Sequence, residues 1–308
     1  MTDTARTSDA WIDIHAHVSG IANIGVDATA YGVEQGVGVL VDAGSAPPRE
    51  LAARLAAVNT STTTTVLAWA NICAEGIAGR GCAGHEISGE AAREALRTLP
   101  GQVIGIKLQA SNTRLAGRGL EAIANATRVA GEFGVPLLVH VGNGPPTMRQ
   151  VADALRPGDI VTHFAHGKPE GALGDDGRPH PSLLAARERG VLFDVGHGAG
   201  SFSYAVMEKL GAAGFWPDII STDLHRGSAD SPVRSLADCM SKLLGLGMPE
   251  DDVLAAVTDR PRRALGLAAS GQRTCFRVSR EPWEARDSYG TMRTLPVRIV
   301  DPHLEPAR

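Results

Sequence analysis

Six of the ten histidines, His15, His17, His140, His163, His197 and His225, stand at or just beyond the C-terminal end of a short apolar run. One histidine in such a place is ordinarily structural, whereas six gathered on one face describe a metal site. The densest signal is Asp13-Ile14-His15-Ala16-His17. Side chains alternate along a strand with period two, so both imidazoles of an H-x-H face the same side and can chelate one ion. His140 closes PLLVH, His163 closes DIVTH, and Asp223 ends DIISTD with a carboxylate. Four imidazoles and a carboxylate suit zinc or a similar borderline cation better than calcium or magnesium. Asp13 is expected to support the first histidines from behind rather than bind metal itself.

Lys107 lies inside QVIGIKL, where a buried strand does not ordinarily carry a lysine. Two readings stand. The stem snorkels or pairs with an acid. Alternatively, burial depresses the amine's pKa, and the neutral amine captures carbon dioxide as a carbamate that bridges two metals.

These residues need a scaffold that brings distant strand ends together. Apolar runs begin at residues 11, 38, 65, 102, 136, 159, 191 and 218, a mean period of about 30 residues, the length of one βα unit. Continuous Val, Ile and Leu runs mark strands buried on both faces. The intervening segments carry helical spacing: Leu51, Leu55 and Val58 in one, and Leu120, Ile123, Ala126 and Ala130 in another. Ser231 and Pro232 are expected to start a further helix. Eight such units predict an α/β protein, a (β/α)8 TIM barrel over 11–268. An open doubly wound sheet is the alternative, although no G-x-G-x-x-G follows the first strand. Residues 1–10 are expected to be an N-terminal tail. A short β appendage is expected over 269–308, with strands in TCFRVS and TLPVRIV about the turn DSYG. The Gly- and Pro-rich stretch 167–181 is expected to be a loop, either a lid or a surface excursion.

The 308 residues are 43% hydrophobic and 21% charged, with net charge −4, which excludes a disordered chain and the basic footprint of a nucleic-acid binder. No apolar run approaches the ~18 residues of a membrane span, and the first ten residues lack the apolar stretch of a signal peptide. Cys73, Cys82, Cys239 and Cys275 lack C-x-x-C spacing and are expected to be reduced thiols. The expectation is a cytoplasmic enzyme with a small-molecule substrate and neither nucleic-acid nor membrane partners.

Residues 11 to about 267 resemble the amidohydrolase superfamily, in particular its carbamylated-lysine subtype, which includes dihydroorotase and the hydantoinases. The D-x-H-x-H, Lys107, His140, His163, Asp223 order carries the resemblance. VDAGSA (41–46), GIKLQAS (105–111), VTHFAHGKP (161–169), GVLFDVGHGAGSFS (190–203), ISTDLH (220–225) and MSKLLGLGMP (240–249) resemble its deacetylase group. The resemblance implies two Zn2+ ions: one on His15, His17 and Asp223, the other on His140 and His163, with carbamylated Lys107 between them. It implies attack by a metal-bound hydroxide, with Asp223 as general base and then acid. The implied activity is hydrolysis of an acyl amide, deacetylase- or aminoacylase-like, or of a small ester, of a carboxylate-bearing metabolite. A cyclic-amide hydrolase or cyclase and a non-catalytic metal-binding barrel are the alternatives. His197 is the first choice for a substrate contact, against a packed histidine bonded to backbone. His225 either orients Asp223 or holds a substrate carboxylate, and His166 either touches substrate or sits on the rim. The appendage resembles a truncated β-sandwich, which would leave apolar surface exposed and favour a homo-oligomer.

Overall fold

The computed structural model describes residues 4–77, 87 and 89–305. β1 (Thr4–Asp9) precedes seven parallel strands in one sheet, in the order β2 (Trp11–Ala16), β3 (Val37–Asp42), β4 (Thr65–Asn71), β5 (Val103–Ala110), β6 (Leu137–Val141), β7 (Ile160–Thr162) and β8 (Leu192–Asp194). The sheet curls into a TIM barrel. Its eighth wall, DIISTD, is an irregular segment instead of the expected strand, joined to β8 by an Asp194–Ile219 bridge and to β2 by an Ala16–Leu224 bridge. The extended run breaks at Asp223, whose φ is 48°. Even so, Asp223 N donates to His15 O at 2.6 Å and His17 N to Leu224 O at 2.8 Å, which closes the ring.

Helices α1 (Leu51–Asn59), α2 (Glu90–Thr98), α3 (Asn112–Leu115), α4 (Gly119–Phe133), α5 (Met148–Ala154), α6 (Pro181–Glu188), α7 (Tyr204–Ala212), α8 (Leu236–Gly245), α9 (Glu250–Ala255) and α10 (Asp259–Ala264) cover it. α1 buries Leu51, Leu55 and Val58 as its spacing predicts. On α4 the buried face is Ala122, Ile123, Ala126, Val129 and Ala130, while Leu120, expected inside, is exposed at the first turn. The cap of α8 is Ser235, not Ser231: its hydroxyl accepts from Asp238 N, and the chain is still irregular at Pro232. Segment 167–180 contains no helix or strand. Among the described residues no helix is long and apolar enough to cross a membrane.

The stretch expected to be a tail contains β1, which pairs antiparallel with β9 (Arg273–Ser279). TARTSD has no apolar pattern because this largely exposed edge strand is held through its backbone. β9 also pairs with β12 (Arg298–Glu305), completing a three-stranded sheet. β10 (Trp283–Arg286) and β11 (Met292–Leu295) form a separate hairpin about the DSYG turn. The appendage therefore has four strands where two were expected. Cys239 and Cys275 are free, Cys73 is in a disulfide, and Cys82 lies outside the described residues. The expectation of reduced thiols fails at Cys73 because sequence spacing tests for zinc and redox motifs, whereas bonding depends on approach in space.

Two apolar cores divide the barrel. The inner one contains Ile12, Ile14, Trp69, Ile104, Leu138 and Ile160, and the larger outer one packs helices on strands. Alternation slips twice near the mouth formed by the C-terminal strand ends. Along β2 and the two residues after it, Ile12 and Ile14 face inward but Ala16 and Val18 face outward, and the register against β3 shifts between Asp13 and Ala16. That bulge puts His15 and His17 on the inner face. On β5, Ile104 faces inward and Ile106 outward, with a register shift against β4 beside Gly105, so Lys107 points inward. A Cβ on Gly105 would fall 2.4 Å from Pro136 O and 2.6 Å from the Trp69 ring. Gly105→Ala is therefore expected to destabilise the fold by about 1–3 kcal/mol, as overpacking does. Denaturant unfolding measures this, and an unchanged midpoint would refute it.

Candidate metal centre

Three of the inward histidines at the barrel mouth, His15, His17 and His163, have one ring nitrogen occupied from behind. The Ser45 hydroxyl donates to Asp42 Oδ2 at 2.8 Å, so it accepts from His17 Nδ1 at 2.8 Å and leaves Nε2 facing the mouth. His15 Nδ1 lies 3.0 Å from Thr162 Oγ1 and 3.8 Å from Asp194 Oδ2. His163 follows β7, where alternation would turn it outward, but its φ of 70° swings the ring inward, and Nδ1 donates to Gly196 O at 2.5 Å. Left-handed backbone at a non-glycine residue costs of order 1–3 kcal/mol and persists where the surroundings enforce it. His163 and Asp223 both adopt it.

The other nitrogens converge on one carboxylate. Asp223 Oδ1 is 3.2 Å from His15 Nε2 and 3.0 Å from His17 Nε2, and Oδ2 is 3.9 Å from His163 Nε2. Ligand atoms of His15, His17 and Asp223 all lie within 4.8 Å of one another. The His140 ring meets His163 edge-on, with centroids 4.4 Å apart. Lys107 Nζ is 3.2 Å from His15 Nε2. All six expected ligands thus meet at one mouth.

The electrostatics of His140, His163 and Asp223 suit metal ligands. Burial, then the Lys107 charge, drives His140 well below the ordinary histidine range, and burial with His140 does the same to His163. Both are neutral imidazoles. Burial opposes the Asp223 carboxylate, but His15, His17 and His163 hold its pKa well below the usual range. Burial brings the Lys107 amine down to about 8. His163 Nε2, a buried lone pair, has no hydrogen-bond partner among the described residues. An orphan of that kind is costly unless a cation takes it, and with the neutral His140 ring and the Asp223 carboxylate beside it the donor set fits a divalent metal.

Asp13 does not reach the imidazoles. It accepts from His15 N, Thr222 N and Thr222 Oγ1, stapling β2 to the eighth wall. His225 lines the cleft, its ring 6.2 Å from His17. Its Nδ1 accepts from Gly227 N, so the neutral ring presents an Nε2 donor. His197 and His166 are not brought to the cleft. His197 is fully buried: Nε2 faces Lys242 Nζ at 2.8 Å, Nδ1 faces Gly198 O at 3.1 Å, and Phe202 stacks on the ring. His166 is buried, accepts from Lys168 N, and is pushed down to about 4 by burial and the Lys168 charge. The first-choice substrate contact is thus a packed histidine.

Sequence reasoning missed three polar neighbours. Gln109 and Arg114 line the cleft, a cavity of ≈ 170 Å³ that adjoins one of ≈ 400 Å³ through Ile24, Ile77 and Arg114. Lys168 Nζ lies 3.6 Å from where a Cβ on Gly142 would stand, and His140 Nε2 lies 3.0 Å from the same point. Two of these had a signal: Gln109 follows Lys107 at strand spacing, and Lys168 falls in VTHFAHGKP.

No protein-family model matches the chain. A protein named deacetylase from Brucella anthropi is 32% identical over 316 residues, covering 97% of this chain and 77% of its own. A crystal structure titled as a dihydroorotase superposes with TM-score 0.86 at 30% identity, covering 95% of this chain and 80% of that one. Another, titled as an adenine deaminase, superposes with TM-score 0.90 at 27% identity, covering 96% and 84%. Sequence and structural similarity over nearly the full length, together with the candidate ligands His15, His17 and Asp223 gathered at the barrel mouth, place the chain in the amidohydrolase superfamily.

Proposed function

We propose that the chain is a zinc-dependent hydrolase that cleaves an acyl amide, or a small ester, of a metabolite bearing a carboxylate. The observation that carries this reading is the convergence of the Nε2 atoms of His15, His17 and His163 on the two oxygens of Asp223. The relatives named deacetylase support the same reading. His15, His17 and Asp223 would hold one ion and His140 and His163 a second, with Lys107 between them as a carbamate. Carbamate formation joins the Lys107 nitrogen to the carbon of CO2 and releases one proton. When bound, the ions supply Lewis acidity to the scissile carbonyl and a water whose pKa falls toward ~7. Asp223 takes the proton of the attacking water and delivers it to the departing nitrogen, acting as base and then acid. The His225 Nε2 donor and the Arg114 guanidinium, at the junction of the two cavities, hold the substrate carboxylate.

Arg114→Met is accordingly expected to raise KM about 10- to 100-fold with kcat little changed, since a hydrogen bond to a charged group contributes ~1.5–3 kcal/mol. Steady-state kinetics measure this; unchanged KM would remove Arg114 from recognition. The reading as a whole is tested with zinc-loaded protein offered N-acyl amino acids, acyl esters and cyclic imides, with product mass as the readout. A released free acid supports acyl transfer to water. A single ring-opened product supports cyclic-amide hydrolysis, which the 30% identity to the structure titled dihydroorotase favours as a second reading. No turnover across the panel would defeat both.

A further inference from the structure

The β10–β11 hairpin belongs to the appendage, yet its turn, Asp287–Gly290, is bonded to the mouth of the barrel. Ser288 Oγ donates to Gly198 O at 2.8 Å, lies 3.3 Å from His197 O, and accepts from Phe202 N at 3.2 Å. Ser288 N donates to Phe202 O at 3.0 Å. Tyr289 OH accepts from Gly167 N at 2.9 Å and donates to Gly200 O at 3.1 Å, so one phenol bridges the loops that follow β7 and β8. Asp287 braces the turn, Oδ1 accepting from Tyr289 N and Thr291 N and Oδ2 from Tyr204 N.

The gripped loops touch the metal ligands directly. Gly196 O accepts from His163 Nδ1, and a Cβ on Gly198 would fall 2.3 Å from Asp223 Oδ2. Gly198 N donates to Thr222 O at 2.9 Å, next to Asp223. Both glycines are left-handed, at φ 47° and 54°, in backbone outside any regular element, so their placement depends on such pins. On its other flank the segment is held by Lys242, whose Nζ meets His197 Nε2 and donates to Pro232 O at 2.6 Å. The loop after β7 carries Lys168 immediately after Gly167.

We propose that the turn Asp287–Gly290 is a positioning element of the metal centre: Ser288, through the Gly196–Gly198 backbone, fixes His163 and Asp223, and Tyr289 locks the two loops together beside Lys168. This rests on the metal-binding reading above. The appendage thereby acts on catalysis at a distance in sequence of more than 60 residues from the last ligand.

The test uses the full chain loaded with zinc and challenged with a competing chelator. Ser288→Ala and Tyr289→Phe are expected to release zinc about 10-fold faster than the unaltered chain, within the range by which partners of metal ligands alter affinity. Ser288→Thr, which keeps the hydroxyl, restores slow release and rescues the role if Ser288→Ala folds poorly. Thr294→Val removes a bond to Glu284 within the same hairpin, away from the loops, and is expected to leave zinc release unchanged. Unchanged release in both turn variants overturns the proposal, as does equal acceleration in Thr294→Val, which would signify general loosening of the hairpin. Zinc release needs no substrate, so a protein that holds zinc but turns nothing over counts against the hydrolase reading and leaves this measurement intact.

Discussion

Lys107→Ala is expected to bind fewer than two metal ions and to lose nearly all activity while the barrel stays folded. The argument is one of charge. Four neutral imidazoles and the single carboxylate of Asp223 set one negative charge against the four positive charges of two divalent ions, and a carbamate on Lys107 adds the second. Burial prepares the amine for that chemistry: lowering its pKa from 10.5 to about 8 raises the neutral fraction at pH 7 roughly 300-fold. Position does the rest, since Nζ lies 3.2 Å from His15 Nε2 and the Asp223 and Asp194 carboxylates share its surroundings. The loss should exceed the ~10–100-fold that follows removal of a group that merely orients a ligand. Short carboxylic acids, which match a carbamate in charge and bite, should partly restore metal content in the variant. Metal analysis and electron density beyond the Lys107 amine are the observables. Two metals retained in Lys107→Ala, or density ending at the amine with both metals bound, would reject the bridge and leave a mononuclear enzyme.

The convergence of the candidate ligands was legible in the sequence because strand ends in a parallel barrel converge whatever the loops do. His15, His17, Lys107, His140, His163 and Asp223 each terminate or occupy an apolar run, and each arrives at the mouth. What period two could not convey is how they are aimed. The slips at Ile14–Ala16 and Gly105, and the left-handed His163, depend on cross-strand register and on contacts such as Trp69 against Gly105. His197 shows the converse. Its strand-end position places the backbone at the mouth, but Lys242, 45 residues on, draws its ring into the wall. Arg114 escaped notice because α3, four residues long, carries no periodicity to single it out, and β1 because an edge strand paired through its backbone needs no apolar face.

Asp223→Asn tests the chemistry rather than the scaffold. The amide is nearly isosteric, so the packing against Gly198 and the backbone bond from Asp223 N to His15 O should survive, and with them the closed barrel. The functional change is confined to two properties of the carboxylate. It loses the negative charge on which His15, His17 and His163 converge, and it can no longer accept a proton and return it. Loss of a general acid–base group costs typically ~10²–10⁴-fold, and the weakened ligand set adds to that. The metal-loaded variant is therefore expected to lose at least about 10²-fold in kcat, with KM changing far less because the proposed carboxylate contacts, Arg114 and His225, are untouched. Measuring kcat at saturating zinc separates proton transfer from metal loss: if zinc saturation returns kcat to the unaltered value, Asp223 is a ligand only and the proton must travel through another group.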